Sequence, residues 1–149
     1  MNLQDLLDKN LIEPFVSSSS QIKQKISLAE ADMEAAKDTI NNKNSRSVEW
    51  AYAQAYNVIL QTGTALIYSR GHRPKKSTGS HHWAVELYLK SEFKDLIHRN
   101  VLTAFGNARQ NRNEAVYDQV GLIGKTDAEG LIKDAESFLI TAKTILGIT

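Results

Sequence analysis

Residues 18–40 read SSSQIKQKISLAEADMEAAKDTI. Apolar side chains recur in this stretch every three or four residues, at Ile22, Ile26, Ala29, Met33, Ala36 and Ile40. This spacing predicts an amphipathic helix with one buried face. Ser18 and Gln21 fit a capping box at its start, and residues 41–44 have turn composition. A long helix over about 20–42 is therefore the element from which the fold is assembled.

The same periodicity continues towards the middle of the chain. A second helix is predicted to begin with Ser45 or Ser47 as its cap and to end near Gly71. Residues 70–80 contain glycine, proline and four Lys or Arg side chains, which is typical of an exposed loop. Ser80 at the end of that loop is a candidate N-cap for a third, shorter helix.

Two further helices complete the pattern. A fourth helix is predicted from about Glu92 towards Tyr117. A closing helix is predicted to start at a capping box formed by Thr126 and Glu129 and to end before Gly147. Because no segment alternates polar and apolar residues with period two, we predict no sheet.

Amphipathic helices joined by short loops predict an all-α, up-and-down bundle of four to five main helices. Three leucines near the start add a short N-terminal helix, which Pro14 and the serines after it interrupt. We expect one domain over residues 1–149, with a core at about 20–146 and an extension at 1–16.

Composition limits the classes of partner. The formal net charge is +1, from 18 basic and 17 acidic side chains, so any polyanion site must be a local cluster. The chain has no cysteine, which excludes disulfides, thiolate metal sites and a cysteine nucleophile. Its start has neither a basic leader nor a long apolar run, so we expect a cytoplasmic protein without a membrane span.

The densest basic cluster follows the second helix and is a candidate phosphate site. Its members are Arg73, Lys75, Lys76, His81 and His82, beside the donor N–H groups of a predicted helix start. Solvated surface charge explains such a loop equally well. His81 and His82 point about 100° apart on a helix and have only Glu86 at ligand spacing, so we expect no metal site and no cofactor.

Residues 121–126, GLIGKT, resemble the end of a phosphate-binding loop. The first glycine of that motif would fall on Gln119, and a helix rather than a strand precedes it. A helix cap after a turn explains these residues better.

Polar side chains gather at the end of the fourth helix. They are spaced by three, four or eight residues and comprise Arg109, Arg112, Asn113 and Tyr117. Two guanidinium groups, an amide and a phenol suit phosphate groups and nucleobases. Arg112 also falls on the apolar stripe, so it could instead pair with a carboxylate such as Asp38 or Glu49. Both readings could hold together.

These residues carry a resemblance to a known family. The relevant segments are RQNRNEAVYD at 109–118, DAESFL at 134–139, AYAQAY at 51–56 and GSHH at 79–82. Together they resemble the HEPN superfamily, over about residues 20–146. The resemblance implies a helical bundle that forms a homodimer, with the polar motifs facing a shared cleft. Many relatives are metal-independent endoribonucleases, and many prokaryotic ones are toxins paired with a nucleotidyltransferase antitoxin.

The catalytic motif of that family is an arginine followed, after four to six residues, by histidine. Counted from Arg109 the histidine position holds Ala115, and counted from Arg112 it holds Tyr117. Alanine has no ionisable side chain, and the pKa of tyrosine, about 10, is too high for proton transfer near neutral pH. Histidine has a suitable pKa. His98 lies more than two helical turns before Arg109. We therefore expect no efficient RNA cleavage.

The leading hypothesis is a HEPN-like bundle that binds nucleotide or RNA beside a nucleotidyltransferase, in a prokaryotic toxin–antitoxin or defence pair. Tyr117 matches a tyrosine that such partners modify in related toxins. One alternative is an active endoribonuclease toxin, with the arginines and Tyr117 sufficient or with loop histidines entering the cleft. Another is a non-catalytic protein-interaction bundle that presents the helix of Tyr52 and Tyr56 to its partner.

Overall fold

The computed structural model describes residues 1–44, 46–76, 81–113 and 123–149, with the side chains of 112 and 113 excepted. These ranges contain six helices and two short strands in the order α1 (Leu3–Asp8), β1 (Ile12–Pro14), α2 (Ser19–Ile40), α3 (Ser47–Ser69), β2 (His72–Pro74), α4 (His81–Glu92), α5 (Arg99–Asn113) and α6 (Lys125–Leu146). The predicted all-α bundle is confirmed.

Helix α2 follows its sequence pattern closely. The Ser18 hydroxyl accepts a hydrogen bond from the Gln21 backbone N–H at 3.1 Å, and the Gln21 side chain accepts one from the Ser18 N–H at 2.8 Å. The predicted capping box is therefore present. The side chains that face the core are Ile26, Ala29, Met33 and Ala36.

Helix α3 is the centre of the bundle. Sixteen of its 23 residues are buried, too many for a single face, because α2, α4, α5 and α6 all pack around it. Gly63 allows the close approach of α4, since a Cβ there would lie 2.9 Å from Val85 Cγ1. Ser47 is the first helical residue rather than a cap. Arg46 is the N-cap, and its side chain does not accept the capping hydrogen bond. Ser45 lies outside the described residues.

A small antiparallel sheet corrects the expectation of no sheet. Strands β1 and β2 pair with Ile12 opposite Pro74 and Glu13 opposite Arg73. Three residues per strand are too few to show period-two alternation, which explains why the pattern missed them. The pairing also means that the beginning of the predicted exposed loop, at residues 72–74, is held against the N-terminal segment.

Helix α5 begins seven residues later than predicted, at Arg99 rather than near Glu92. After Phe93 the chain turns, and the His98 Nδ1 atom accepts a hydrogen bond from the Asn100 backbone N–H at 3.1 Å. An imidazole thus satisfies a free donor of the first helical turn. Ile97 lies in this turn and is buried, so the apolar stripe continues across the turn although the helix begins after it.

Helix α6 begins at a different cap from the predicted Thr126 and Glu129 pair. Gly124 is the N-cap, and the Asp127 carboxylate accepts its backbone N–H at 3.0 Å. The helix ends as predicted at Gly147, whose φ of 70° is the left-handed conformation that favours glycine. Within the described ranges, no helix is both long and apolar enough to cross a membrane.

Candidate functional site

Glu86 organises the contact between α4 and α5. Its side chain is 7% exposed, its Oε1 accepts a hydrogen bond from Arg109 Nε at 2.8 Å, and its Oε2 accepts one from Lys90 Nζ at 2.6 Å. Burial disfavours the ionised carboxylate, but the bonds and charges of Lys90 and Arg109 outweigh burial and lower the pKa of Glu86. The candidate site residue Arg109 is therefore fixed by a buried carboxylate.

A glycine makes this ion triad possible. A Cβ on Gly106 of α5 would lie 2.8 Å from Glu86 Oε2 and 3.7 Å from Lys90 Nζ. The carboxylate therefore occupies the space that any other residue at position 106 would fill. From the sequence, Glu86 was considered only as a metal ligand, and its contact with Arg109 was not predicted.

His82 is partly buried and hydrogen-bonded to the core rather than presented by a free loop. Its Nδ1 lies 2.9 Å from the hydroxyl of the fully buried Tyr56, whose ring packs edge-on against Phe105 at 5.5 Å. This places His82 of α4 against α3, where Tyr56 separates it from Phe105 of α5. Burial of Tyr56, and of Tyr52 at 5% exposure, is also incompatible with an exposed partner surface formed by these two tyrosines.

The predicted basic loop separates into side chains with different roles. Arg73 donates through Nε to Glu13 at 2.9 Å and lies over the Phe15 ring at 4.7 Å, so it joins β2 to β1. The Lys75 backbone N–H donates to the Leu11 carbonyl at 2.9 Å. The β2 strand and its neighbours are therefore part of the folded structure.

His72 and Tyr88 extend this packing towards α4. The His72 Nδ1 atom lies 2.9 Å from the Tyr88 hydroxyl, and Tyr88 is fully buried. Burial, together with the charge of Glu92, raises the pKa of Tyr88 to about 12, against the opposing charge of Arg70. The phenol is therefore neutral and acts as a hydrogen-bonding core group.

Three cationic or basic side chains form a separate group, the cation cluster, which consists of Lys25, Lys76 and His81. Burial and the charge of Lys76 lower the pKa of Lys25. Burial and the charges of Lys25 and Lys76 lower the pKa of His81. Among the described residues, none of the three forms an ion pair with a carboxylate.

Lys25 was absent from the sequence interpretation. It lies on α2, about 50 residues before Lys76, and it approaches the Tyr68 ring of α3 at 5.9 Å. A lysine directly before the buried Ile26 is a weak signal in one sequence, since lysine stems commonly cover apolar faces. Only the tertiary structure brings Lys25 near enough to His81 for its charge to lower the pKa of His81.

The other predicted site residues lie outside what the structure describes. Only the backbone of Arg112 and Asn113 is described, at the end of α5, and Tyr117 lies outside the described residues. Glu49, one proposed partner of Arg112, is 2% exposed, whereas Asp38 is exposed. The pairing of Arg112 with Glu49 stays a prediction.

The geometry agrees with a comparison against known families. The HEPN domain family matches residues 22–145, which is most of the chain. The chain belongs to the HEPN family. The HEPN match spans α2 to α6 and so includes the ion triad, His82 and the cation cluster. No curated protein matches this HEPN chain. Family membership associates the chain with nucleotide- or RNA-related function in general.

Proposed function

We propose that this HEPN chain binds nucleotide or RNA phosphate and does not cleave RNA efficiently by itself. The observation that carries the proposal is the cation cluster of Lys25, Lys76 and His81. Burial is the larger cause of the lowered pKa values of the partly buried Lys25 and His81, and repulsion among the three like charges, including that of the exposed Lys76, adds to it. A bound phosphate relieves that repulsion and accepts charge-assisted hydrogen bonds from all three groups.

The residues at the end of α5 supply a second group of contacts in this proposal. Arg109 is held by Glu86 through Nε at 2.8 Å, which leaves the rest of a side chain that is 31% exposed for a ligand. Arg112, Asn113 and Tyr117 follow along the chain. Since Ala115 or Tyr117 occupies the motif histidine position, general acid–base catalysis at neutral pH lacks its usual imidazole.

The biological setting is proposed from the family. We place the chain, as a homodimer, beside a nucleotidyltransferase in a prokaryotic toxin–antitoxin or defence pair, with Tyr117 as the candidate for modification. Co-purification with a nucleotidyltransferase encoded next to it, and a mass increase on a peptide containing Tyr117, are the expected results. A partner that leaves Tyr117 unmodified removes that part of the proposal.

RNA binding is tested by fluorescence anisotropy with a labelled single-stranded RNA pool. Replacing Lys25 and Lys76 by methionine should weaken binding and reduce the slope of log affinity against log salt by about 1.4, since each phosphate contact on a single strand contributes about 0.7. Lys23→Met is the matched control, because Lys23 is exposed on the same helix. Equal salt slopes in all three proteins contradict the proposal.

Catalysis is tested separately with the same RNA pool, in EDTA, using wild type and Arg112→Ala. We expect no cleavage by either protein. Cleavage by wild type that is lost in Arg112→Ala makes the chain an endoribonuclease and refutes the non-catalytic reading. Absence of binding by wild type to any nucleotide or RNA tested at low salt, where phosphate contacts are strongest, refutes the binding function altogether.

A further inference from the structure

An open cleft lies between α3, α5 and α6, on the side of α3 that carries Tyr52. Its volume is about 420 Å³, within the range typical of small-molecule sites. The floor is aromatic and apolar, because the buried side chains of Tyr52, Ile123 and Leu131 line it together with Ala104. A ligand with a flat apolar face would gain contact area there.

The described part of the rim of the cleft is polar. It carries two amides, a hydroxyl and two carboxylates, from Asn107, Asn111, Thr126, Asp127 and Asp134. None of the described lining side chains is Lys, Arg or His. Carboxylates repel phosphate but accept hydrogen bonds from N–H groups, so the rim selects a neutral or weakly cationic ligand rich in N–H donors.

The buried phenol of Tyr52 joins the floor to the rim. A side-chain hydrogen bond links it to Asn111. Burial raises the pKa of Tyr52, the bond from Asn111 acts in the opposite direction, and Asp127 adds to the rise. The hydroxyl is therefore neutral and holds the Asn111 amide over the cleft.

Gly130 is exposed at the side of the cleft, and its lack of a side chain leaves room there. It lies in the interior of α6, where glycine is less stable than alanine, and it lines the cleft. No atom of the described residues lies within 4 Å of the place where its Cβ would be. Packing within the described chain therefore does not require a glycine at this position, whereas a ligand in the cleft would use the space.

We propose that this cleft binds a nucleobase that carries an exocyclic amino group, as adenine, guanine and cytosine do. The flat ring covers the floor of Tyr52 and Leu131, and the amino group donates to the Asp134 carboxylate or to the Asp127 oxygen that does not accept the Gly124 N–H. Uracil has its N3–H as its one base donor and no amino group, so it satisfies fewer of these acceptors and binds more weakly. The inference rests on the proposed function only for the class of ligand, because a nucleoside without phosphate is sufficient to occupy the cleft.

The test is isothermal titration of the purified chain with adenosine, guanosine, cytidine and uridine. At least one amino-bearing nucleoside should bind at least about tenfold more tightly than uridine. Gly130→Leu fills the cleft and should weaken that binding by a similar factor. Ser137→Leu is the matched control, since Ser137 is exposed two turns further along the same face of α6 and does not line the cleft.

Unchanged binding in Gly130→Leu, or no binding of any nucleoside at millimolar concentration, overturns the inference. Binding of putrescine in place of nucleosides also overturns it and makes the cleft a site for organic amines. Nucleoside binding without RNA binding refutes the proposed function and leaves the cleft assignment standing. RNA binding that depends on Lys25 and Lys76, without nucleoside binding, supports the proposed function and refutes the assignment of the cleft.

Discussion

Replacement of Glu86 by glutamine tests the ion triad that fixes Arg109. The variant keeps the shape of the side chain but removes the negative charge between Arg109 Nε, at 2.8 Å, and Lys90 Nζ, at 2.6 Å. The amide nitrogen of glutamine would face one of the two cations. We therefore expect a less stable protein with a more mobile Arg109 side chain.

The magnitude follows from the two bonds and their exposure. A hydrogen bond to a charged group contributes about 1.5–3 kcal/mol. The side chains of Arg109 and Lys90 are 31% and 45% exposed, so solvent screening reduces the combined loss to about 2 kcal/mol. For a chain of 149 residues this corresponds to a decrease of about 4–8 °C in Tm.

The pH dependence has a definite sign. The pKa of Glu86 in the folded protein lies below its usual value of 4.5. Its contribution to stability is therefore complete above pH 4.5 and is lost as the pH falls through the folded-state pKa. The difference in unfolding free energy between wild type and Glu86→Gln should be largest at neutral pH and should shrink below 4.5.

Urea denaturation followed by circular dichroism, at neutral pH and at a series of acidic values, measures this difference. Glu129→Gln is the control, because Glu129 is exposed on α6. Equal stability of wild type and Glu86→Gln at neutral pH refutes the stabilising role of the triad. A loss that persists unchanged in acid shows that the defect comes from packing rather than from charge.

Three further variants examine the same region. Gly106→Ala places a methyl group 2.8 Å from Glu86 Oε2 and should cost about 1–3 kcal/mol in urea denaturation, and native stability would show that the carboxylate moves freely. Tyr56→Phe removes the hydroxyl at 2.9 Å from His82 Nδ1 and should cost about 1 kcal/mol, unless water replaces the bond. Because the pKa of His81 lies below 6.5 and bound phosphate favours the protonated ring, RNA affinity should rise as the pH falls below 6.5. Anisotropy titrations should show this rise in wild type and lose it in His81→Gln, and a rise that survives in the variant would assign the effect elsewhere.

The helices were predictable because their signals are local. Buried Ile26, Ala29 and Met33 repeat at helical spacing, and the cap formed by Ser18 and Gln21 spans three residues. The late start of α5 was not predictable in this way. It depends on the side chain of His98 as an acceptor for the Asn100 N–H, and histidine is not among the residues that usually cap helices.

The functional contacts were less predictable because they join distant parts of the chain. The position of Arg109 on α5 follows from the helix pattern, but its partner Glu86 lies 23 positions earlier and beside Gly106. Lys25 comes close to Lys76 and His81 only in the folded structure. The residue types are visible in the sequence, whereas their neighbours are set by tertiary structure.

Removal of Arg109 and removal of Lys25 should affect the stability of the folded protein differently. Removing Arg109 leaves the buried carboxylate of Glu86 with one partner fewer, so a loss of function in Arg109→Ala mixes folding with binding. Removing Lys25 relieves its repulsion of Lys76 and His81, so the folded chain should keep or gain stability while phosphate binding weakens. A residue that costs stability but improves binding is typical of a ligand site, and we expect this behaviour of Lys25 but not of Arg109. The cation cluster is therefore the stronger evidence for a phosphate ligand, even though the family motif directs attention to α5.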